Sequence, residues 1–250
     1  MSIERIYIGT SGYFYSDWIG KFYPTQLKPA DFLPYYAERF NAVEINMTFY
    51  RTPFRNVVIS WDRKTPDEFC FVCKASRYIT HIQRLKTSIE SLDRFFAPIA
   101  GLGNKLRCIL WQLPPNLKYE RSLFKNFLLL INQHDKARDY LHCMEFRNAT
   151  WFIDEVYRLL NEAHVGLCWY DAPKDSFPET PVVSTGNIIY LRFHGKKELY
   201  KGSYTEKELA VWVDRINTMK GIKNCFVFFN NDYNADGAFD AIEFKNLLVC

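Results

Sequence analysis

Short apolar runs and longer amphipathic stretches alternate along the whole chain. Eight runs are rich in Val, Ile, Leu and aromatic residues and too short for helices: Arg5–Thr10, Ala42–Asn46, Phe69–Lys74, Leu106–Gln112, Leu141–Phe146, Val165–Tyr170, Asn187–Phe193 and Asn224–Phe229. Between most of them the apolar residues recur at helical spacing, which predicts helices over Ala30–Phe40, Arg84–Ile99, Leu123–Gln133, Phe152–Ala163 and Glu206–Met219. Another, Ala238–Leu248, follows the last strand. The run Asn56–Lys64 is short for a helix, and Asp171–Gly186, with three prolines, shows no helical period. The alternation predicts an α/β fold: a single (β/α)8 TIM barrel with an irregular or missing helix between strands 6 and 7. A doubly wound open sheet is the competing arrangement.

A barrel keeps its chemistry where the strands end, and the polar residues of this chain gather there. Glu44 and Asn46 fall two apart in the second strand, so a carboxylate and an amide share one face, and Tyr50 and Arg51 follow at once. Lys74 ends the third strand, Gln112 the fourth, and Glu145 with Arg147 the fifth; Asp171 follows the sixth, Arg192 with His194 the seventh, and Asn230 the eighth. A charge after a strand is ordinarily a solvated loop residue or a helix cap, which suits Asp171 and Asn230. Glu44, Glu145 and Arg192 lie inside strands, where parity carries them to the interior, and buried charges need partners. Glu44, Glu145 and Asp171 set against Arg51, Lys74, Arg147 and Arg192 predict a paired network around a pocket with spare positive charge. Guanidinium forks, a lysine and the backbone N–H groups of Gly9–Gly12 suit phosphate or carboxylate, and His81 and His194 are the proton-transfer candidates. The expected catalytic set is therefore Glu44, His81, Glu145 and His194. The expected ligand-binding set is Asn46, Tyr50, Arg51, Lys74, Gln112, Arg147, Trp151, Asp171, Arg192 and Asn230.

Composition narrows the classes. At 250 residues, 48% hydrophobic and 24% charged, the chain can bury a large core as one domain, residues 1–250. The net charge of +4 is mild, so any basic surface is local. Seven scattered cysteines suit a reducing compartment, and no basic segment followed by an apolar run opens the chain, so a cytoplasmic protein with no membrane partner is expected. Cys70 and Cys73 have C-x-x-C spacing, but within a strand a separation of three puts them on opposite faces. Residues Asp232–Glu243 fit a calcium-loop pattern at its defining positions, yet a strand rather than a helix leads into them. The carboxylates and imidazoles could supply a metal cluster, but they lack local ligand spacing and stand among cations, so no metal and no cofactor are expected. The crowded aromatics Tyr13, Tyr15, Trp18, Phe22 and Tyr23 read either as core or as a stacking wall.

Several motifs together resemble a known family. These are Gly9-Thr-Ser-Gly-Tyr13 with Trp18, Phe40-Asn-Ala-Val-Glu-Ile-Asn46 with Thr48-Phe-Tyr-Arg51, Gln112-Leu-Pro-Pro115, Glu145-Phe-Arg147 with Trp151, Tyr190-Leu-Arg192 with His194-Gly195, and Phe229-Asn-Asn231. In this order and spacing the chain resembles the YecE-like family, domain of unknown function 72, along essentially its whole length. The resemblance implies a TIM barrel and no established activity; Tyr13 departs from the tryptophan usual there but stays aromatic. That barrel is similar to those of metal-dependent apurinic endonucleases and sugar-phosphate isomerases, an analogy of fold alone. The expected partner is an anionic small molecule or nucleic acid, bearing phosphate, at the C-terminal mouth, with hydrolase or isomerase chemistry. A non-catalytic nucleic-acid-binding module and a metal-dependent phosphodiesterase are the alternatives.

Overall fold

The computed structural model describes residues 3–249. Eight parallel strands form a nearly closed barrel: β1 Arg5–Thr10, β2 Ala42–Ile45, β3 Cys70–Lys74, β4 Leu106–Gln112, β5 Leu141–Glu145, β6 Gly166–Asp171, β7 Ile188–Phe193 and β8 Asn224–Phe229. From β2 to β8 each strand pairs with the next in sequence, and β8 pairs with β1 over Arg5–Thr10, which rules out the open doubly wound sheet. The helices on the outside are α1 Phe32–Ala37, α2 Met47–Tyr50, α3 Arg55–Arg63, α4 Ile89–Ile99, α5 Arg121–Gln133, α6 Asp154–Glu162, α7 Glu206–Thr218 and α8 Asp236–Val249. No helix stands between β6 and β7. The short segment at 56–64 does form a helix, α3, because Val58 and Trp61 on one face bury themselves against the barrel. Tertiary burial, rather than length, stabilises a helix of two to three turns.

The one seam without a backbone ladder lies between β1 and β2. Side chains close it. Asn41 accepts from the Ile8 N–H at 2.8 Å and donates to the Ile6 carbonyl at 2.7 Å, standing in for a strand residue. Above it the Tyr36 hydroxyl accepts from the Thr10 N–H at 2.7 Å and donates to the Ala42 carbonyl at 3.0 Å. Gly9 lets the two strands approach: a Cβ there would lie 2.0 Å from the Ala42 oxygen.

Strand parity divides the core in two. Outward residues pack under the helices, whereas Tyr7, Cys70, Val72, Cys108, Leu110, Cys143, Cys168, Tyr190, Phe226 and Phe228 fill the barrel interior. Cysteines on one side therefore face aromatics on the other, small against large. Cys70 belongs to the interior and Cys73 to the outer layer, so the C-x-x-C pair points in opposite directions. Among the crowded aromatics, Trp18, Phe22 and Tyr23 are core, packed with Phe32 and Phe40. At 232–243 the chain arrives from β8 and α8 begins at Asp236, which carries Glu243 off along the helix. No helix of the described residues is long and apolar enough to cross a membrane.

Candidate functional site

The topmost interior layer is polar. β2 contributes Glu44, β5 Glu145 and β7 Arg192, all at the interior parity of their strands and all fully buried. Arg192 lies between the two acids, with Nη2 2.6 Å from Glu44 Oε1 and Nη1 2.7 Å from Glu145 Oε2. Tyr190, one interior step below, donates to Glu44 Oε2 at 2.6 Å. Arg147, two residues beyond Glu145, donates from Nε to Glu145 Oε1 at 2.6 Å and pairs with the same oxygen through Nη2. Its guanidinium lies 3.4 Å from the Phe177 ring centroid and 4.6 Å from that of Tyr170. Burial alone would raise the Glu145 pKa, but Arg147 and Arg192 overcome it and hold the carboxyl far below the usual range. Arg192 is pushed the other way: burial opposes its charge, and Glu145 and Glu44 hold the proton more firmly than in water.

His194, also fully buried, receives Arg147 Nη2 at Nε2, 2.9 Å away, and meets the Asn230 side-chain amide at Nδ1. An arginine can only donate, so Nε2 accepts and the ring proton sits on Nδ1; the Asn230 amide nitrogen lies 3.0 Å from Nδ1, so the amide must turn over to offer its oxygen there. Burial and then Arg147 and Arg192 lower the His194 pKa well below 6.5, so the ring is neutral at pH 7. With both nitrogens engaged, His194 braces Arg147.

Above this layer opens a cavity of about 300 Å³ lined by Tyr15, Asn46, Tyr50, Lys74, Gln112, Arg147, Arg192, His194, Tyr200, Asn230 and Asp232. Arg147 Nη1, Arg192 Nε and Asn46 Oδ1 are buried without hydrogen-bond partners. The Lys74 Nζ makes no salt bridge or hydrogen bond with any described residue, although its backbone carbonyl accepts from Thr48, and the Phe49 ring centroid lies 4.5 Å from that Nζ. Burial, and next Arg192, lower its pKa to about 8. Asp232 is the only carboxylate lining the cavity among the described residues, and burial pushes its pKa up.

The sequence-predicted residues sort unevenly. Asn46, Tyr50, Lys74, Gln112, Arg147, Arg192, His194 and Asn230 line the cavity, and Glu44 and Glu145 lie beneath, in salt bridges to its arginines. Trp151 does not reach it: the indole is fully buried in the outer layer, stacked on Phe146 with centroids 4.6 Å apart, and donates to the Leu117 carbonyl. Arg51 is exposed and touches Met47 Sδ, because α2 turns the chain away after β2. Asp171 points outward, accepting from Tyr204 and Trp212 and facing Lys196 at 3.6 Å, beside a separate cavity under the β6–β7 loop. The expected paired network thus forms from Glu44, Glu145, Arg147 and Arg192, without Arg51, Lys74 and Asp171. His81 lies outside the cavity lining, in the π-helical turn Tyr78–Ile82, bonded to Thr80 and packed on Phe49; burial and then Lys74 and Arg77 lower its pKa to about 4. The Gly9–Gly12 loop offers fewer backbone donors than expected, since the Thr10 N–H goes to Tyr36 and the Ser11 N–H to the Phe229 carbonyl. Sequence reasoning missed Tyr190 as a site residue, although it stands two before Arg192 on the same face. It also missed Tyr200, Asp232 and Phe177 as site residues, which reach the site through loop geometry, whereas Tyr15, left open between core and stacking wall, lines the cavity. Among the described residues no three His, Cys, Asp or Glu side chains are grouped to hold a metal, and the buried acids are already taken by guanidiniums.

Residues 7–250 match the family described as protein of unknown function DUF72. The chain belongs to the DUF72 family. It is similar to the UPF0759 protein YunF of Bacillus subtilis (strain 168), with 27% identity over 273 aligned residues, 97% of this chain and 94% of the relative. A shorter match, 33% identical over 79 residues, joins 32% of this chain to 29% of the UPF0759 protein YecE of Escherichia coli (strain K12). Among solved structures, the DUF72 family protein of Thermotoga maritima MSB8 superposes with a TM-score of 0.84 at 30% identity, covering 98% of this chain and all of that one. The DUF72 likeness extends over the whole barrel and includes the strands that hold the cavity.

Proposed function

We propose that the barrel mouth binds an anionic, phosphate-bearing small molecule of sugar-phosphate size. One observation carries this reading: three cations, Lys74, Arg147 and Arg192, line the cavity, and while both arginines are paired with the buried Glu44 and Glu145, the Lys74 Nζ pairs with neither of these nor with Asp232 across the cavity. A fold that needed these cations solely to balance Glu44 and Glu145 would not keep Lys74 unpaired beside two arginines, since like charges in a part-buried site oppose one another. An arriving phosphate would meet the Arg147 and Arg192 guanidiniums, which line the cavity and each keep one buried N–H without a partner, and relieve that repulsion. Asp232, Asn46 and Gln112 suit hydroxyl groups of the same ligand.

The test is calorimetry with inorganic phosphate, alongside thermal melting, on the natural protein and Lys74→Met. This substitution keeps the apolar stem and deletes the charge. Weaker phosphate binding with an unchanged or slightly raised melting temperature is expected. A large loss of stability with phosphate affinity intact would make the cations structural and remove the reading.

A second reading, nucleic acid across the mouth, has its own support. No acidic residue occurs between Glu44 and Asp62 or between Glu68 and Glu90. The loops after β2 and β3 instead expose Tyr50, which lines the cavity, and Arg51, Phe54, Arg55, Arg77, Tyr78 and Lys86. Aromatic faces and cations without acids suit a stacked, phosphate-bearing strand.

A further inference from the structure

Lys74 ends β3, and its side chain faces the cavity between Asn46, just past β2, and Gln112 at the end of β4. The charged groups around it are Arg192 and Arg147, which oppose its charge, Glu145 and Glu44, which favour it, and His81 from the neighbouring turn. Both acids spend their oxygens on the arginines and Tyr190. If the mouth needed only a third fixed charge, a guanidinium would keep one at every pH, whereas an amine among arginines surrenders its proton near neutrality. Free amine is a nucleophile.

We infer that Lys74 is a nucleophilic amine that condenses with the carbonyl carbon of a phosphorylated aldehyde or ketone, whose phosphate is held by Arg147 and Arg192. The inference rests on the anion reading above. In the step, the Nζ lone pair forms a C–N bond while the carbonyl π bond opens, and the amine proton passes to the oxygen to give a carbinolamine. That hydroxyl takes up a proton from solvent and leaves as water while the nitrogen lone pair forms the C=N bond of an iminium, which returns its remaining N–H proton to solvent to give the imine. No oxidant or reductant is needed. Asn46 Oδ1, buried without a partner beside the amine, is placed to accept from a hydroxyl next to the carbonyl. Burial and the neighbouring Arg192 bring the lysine pKa to about 8, so a usable fraction of free amine is present at pH 7.

Borohydride trapping tests this. The protein is incubated with dihydroxyacetone phosphate, unphosphorylated dihydroxyacetone, or an oligonucleotide carrying an abasic site, whose open-chain sugar presents the same aldehyde beside phosphate. Sodium borohydride reduces any imine to a stable secondary amine, and peptide mass mapping locates it. The expected adduct lies on Lys74, is absent from Lys74→Met and Lys74→Arg, and forms about tenfold faster per pH unit as the pH rises toward a pKa of about 8. Adduct with the oligonucleotide but not the free sugar phosphate would support the amine and assign the phosphate to nucleic acid. Equal trapping with and without phosphate on the substrate would support the amine and remove the anion reading. Phosphate binding by calorimetry with no Lys74 adduct from any probe would overturn the inference and leave the anion reading standing. Adducts scattered over surface lysines and unchanged in Lys74→Met would overturn it too.

Discussion

Arg192 is the side chain on which the site depends, because it ties the acid of β2 to the acid of β5 across the barrel. Arg192→Met should leave Glu44 with Tyr190 alone and cost about 3–5 kcal/mol, the range for breaking a buried pair, read as a lower urea midpoint. Tyr190→Phe removes one bond to a charged acceptor and should cost about 1.5–3 kcal/mol. The buried histidines set the acid side of the stability curve. His142 accepts from Trp111 at Nδ1 and donates from Nε2 to the Ala137 carbonyl, so like His194 it is held neutral, though with the proton on the other nitrogen. Burial lowers the pKa of His142 to about 4 and that of His194 further below 6.5. A base whose folded pKa is depressed is protonated first in the unfolded chain. The histidine contribution to stability is therefore full above about pH 6.5 and falls as the pH drops from there toward 4, while Asp240, whose carboxyl burial pushes up to about 7, contributes with the opposite sign over the same range. Glu145, depressed in the folded state, adds a second loss below its usual carboxyl range. Urea unfolding at pH 7, 6 and 5 of Asp240→Asn, which removes the opposing carboxyl, checks this: a flat midpoint there would show that the imidazoles already accept protons in the fold. Glu44, Glu145 and Arg192 were legible in the sequence because strand parity is local. The silence of His194 as a base was not, since only the fold brings Arg147 to its Nε2.

At the scale of elements, the β1–β2 seam is the weak join of the barrel and also supports the site, because Ser11 and Asn46 stand at its upper end. Arg192 Nη2 reaches Ser11 Oγ at 3.4 Å, and Asn46 donates to the Ser11 carbonyl at 3.3 Å. Tyr36→Phe deletes the hydroxyl shared by Thr10 and Ala42 and strands a buried N–H, for an expected loss of about 1–3 kcal/mol. Gly9→Ala forces the strands apart, since the clash is with backbone that cannot rotate away; it should cost more than the ~1–3 kcal/mol of ordinary overpacking. Hydrogen exchange at Ile8 and Thr10 should speed up in both variants while β5 and β6 amides stay protected; uniform acceleration would mean that the seam is not a separate unit. The eight strands were visible from apolar runs alone, to within a residue or two at their ends. The seam was not, because Asn41 and Tyr36 carry no mark in sequence that distinguishes a surface amide or core phenol from a bridge between strands.

Across the whole molecule a modest net charge of +4 conceals a sided distribution. The acid-free loops after β2 and β3 put exposed cations and aromatics on one quadrant of the mouth. Salt separates the two ligand readings. A small phosphate compound held by two guanidiniums should lose little affinity as salt rises, whereas a single strand lying across this quadrant should show a log–log slope of about −0.7 for each phosphate neutralised. Binding of an oligonucleotide that ignores salt, or that survives replacement of both Arg51 and Arg77 by serine, would remove the nucleic-acid reading.

The sequence alone determined the barrel, its strand positions and the identity of the buried charges. It could do so because alternation at period two and helical spacing are properties of neighbouring residues, and because a charge inside a strand must be explained wherever the strand ends up. Only the tertiary structure decided which charges meet. Arg51, Trp151 and Asp171 satisfy every local criterion for the site yet face solvent, outer core and a separate cavity. Tyr190 and Tyr200 join the site from positions that local patterning leaves unmarked. The physical reason is that direction beyond a strand end is set by the turn that follows, α2 for Arg51 and the loop after β5 for Trp151, and turns answer to packing across the barrel rather than to their own residues.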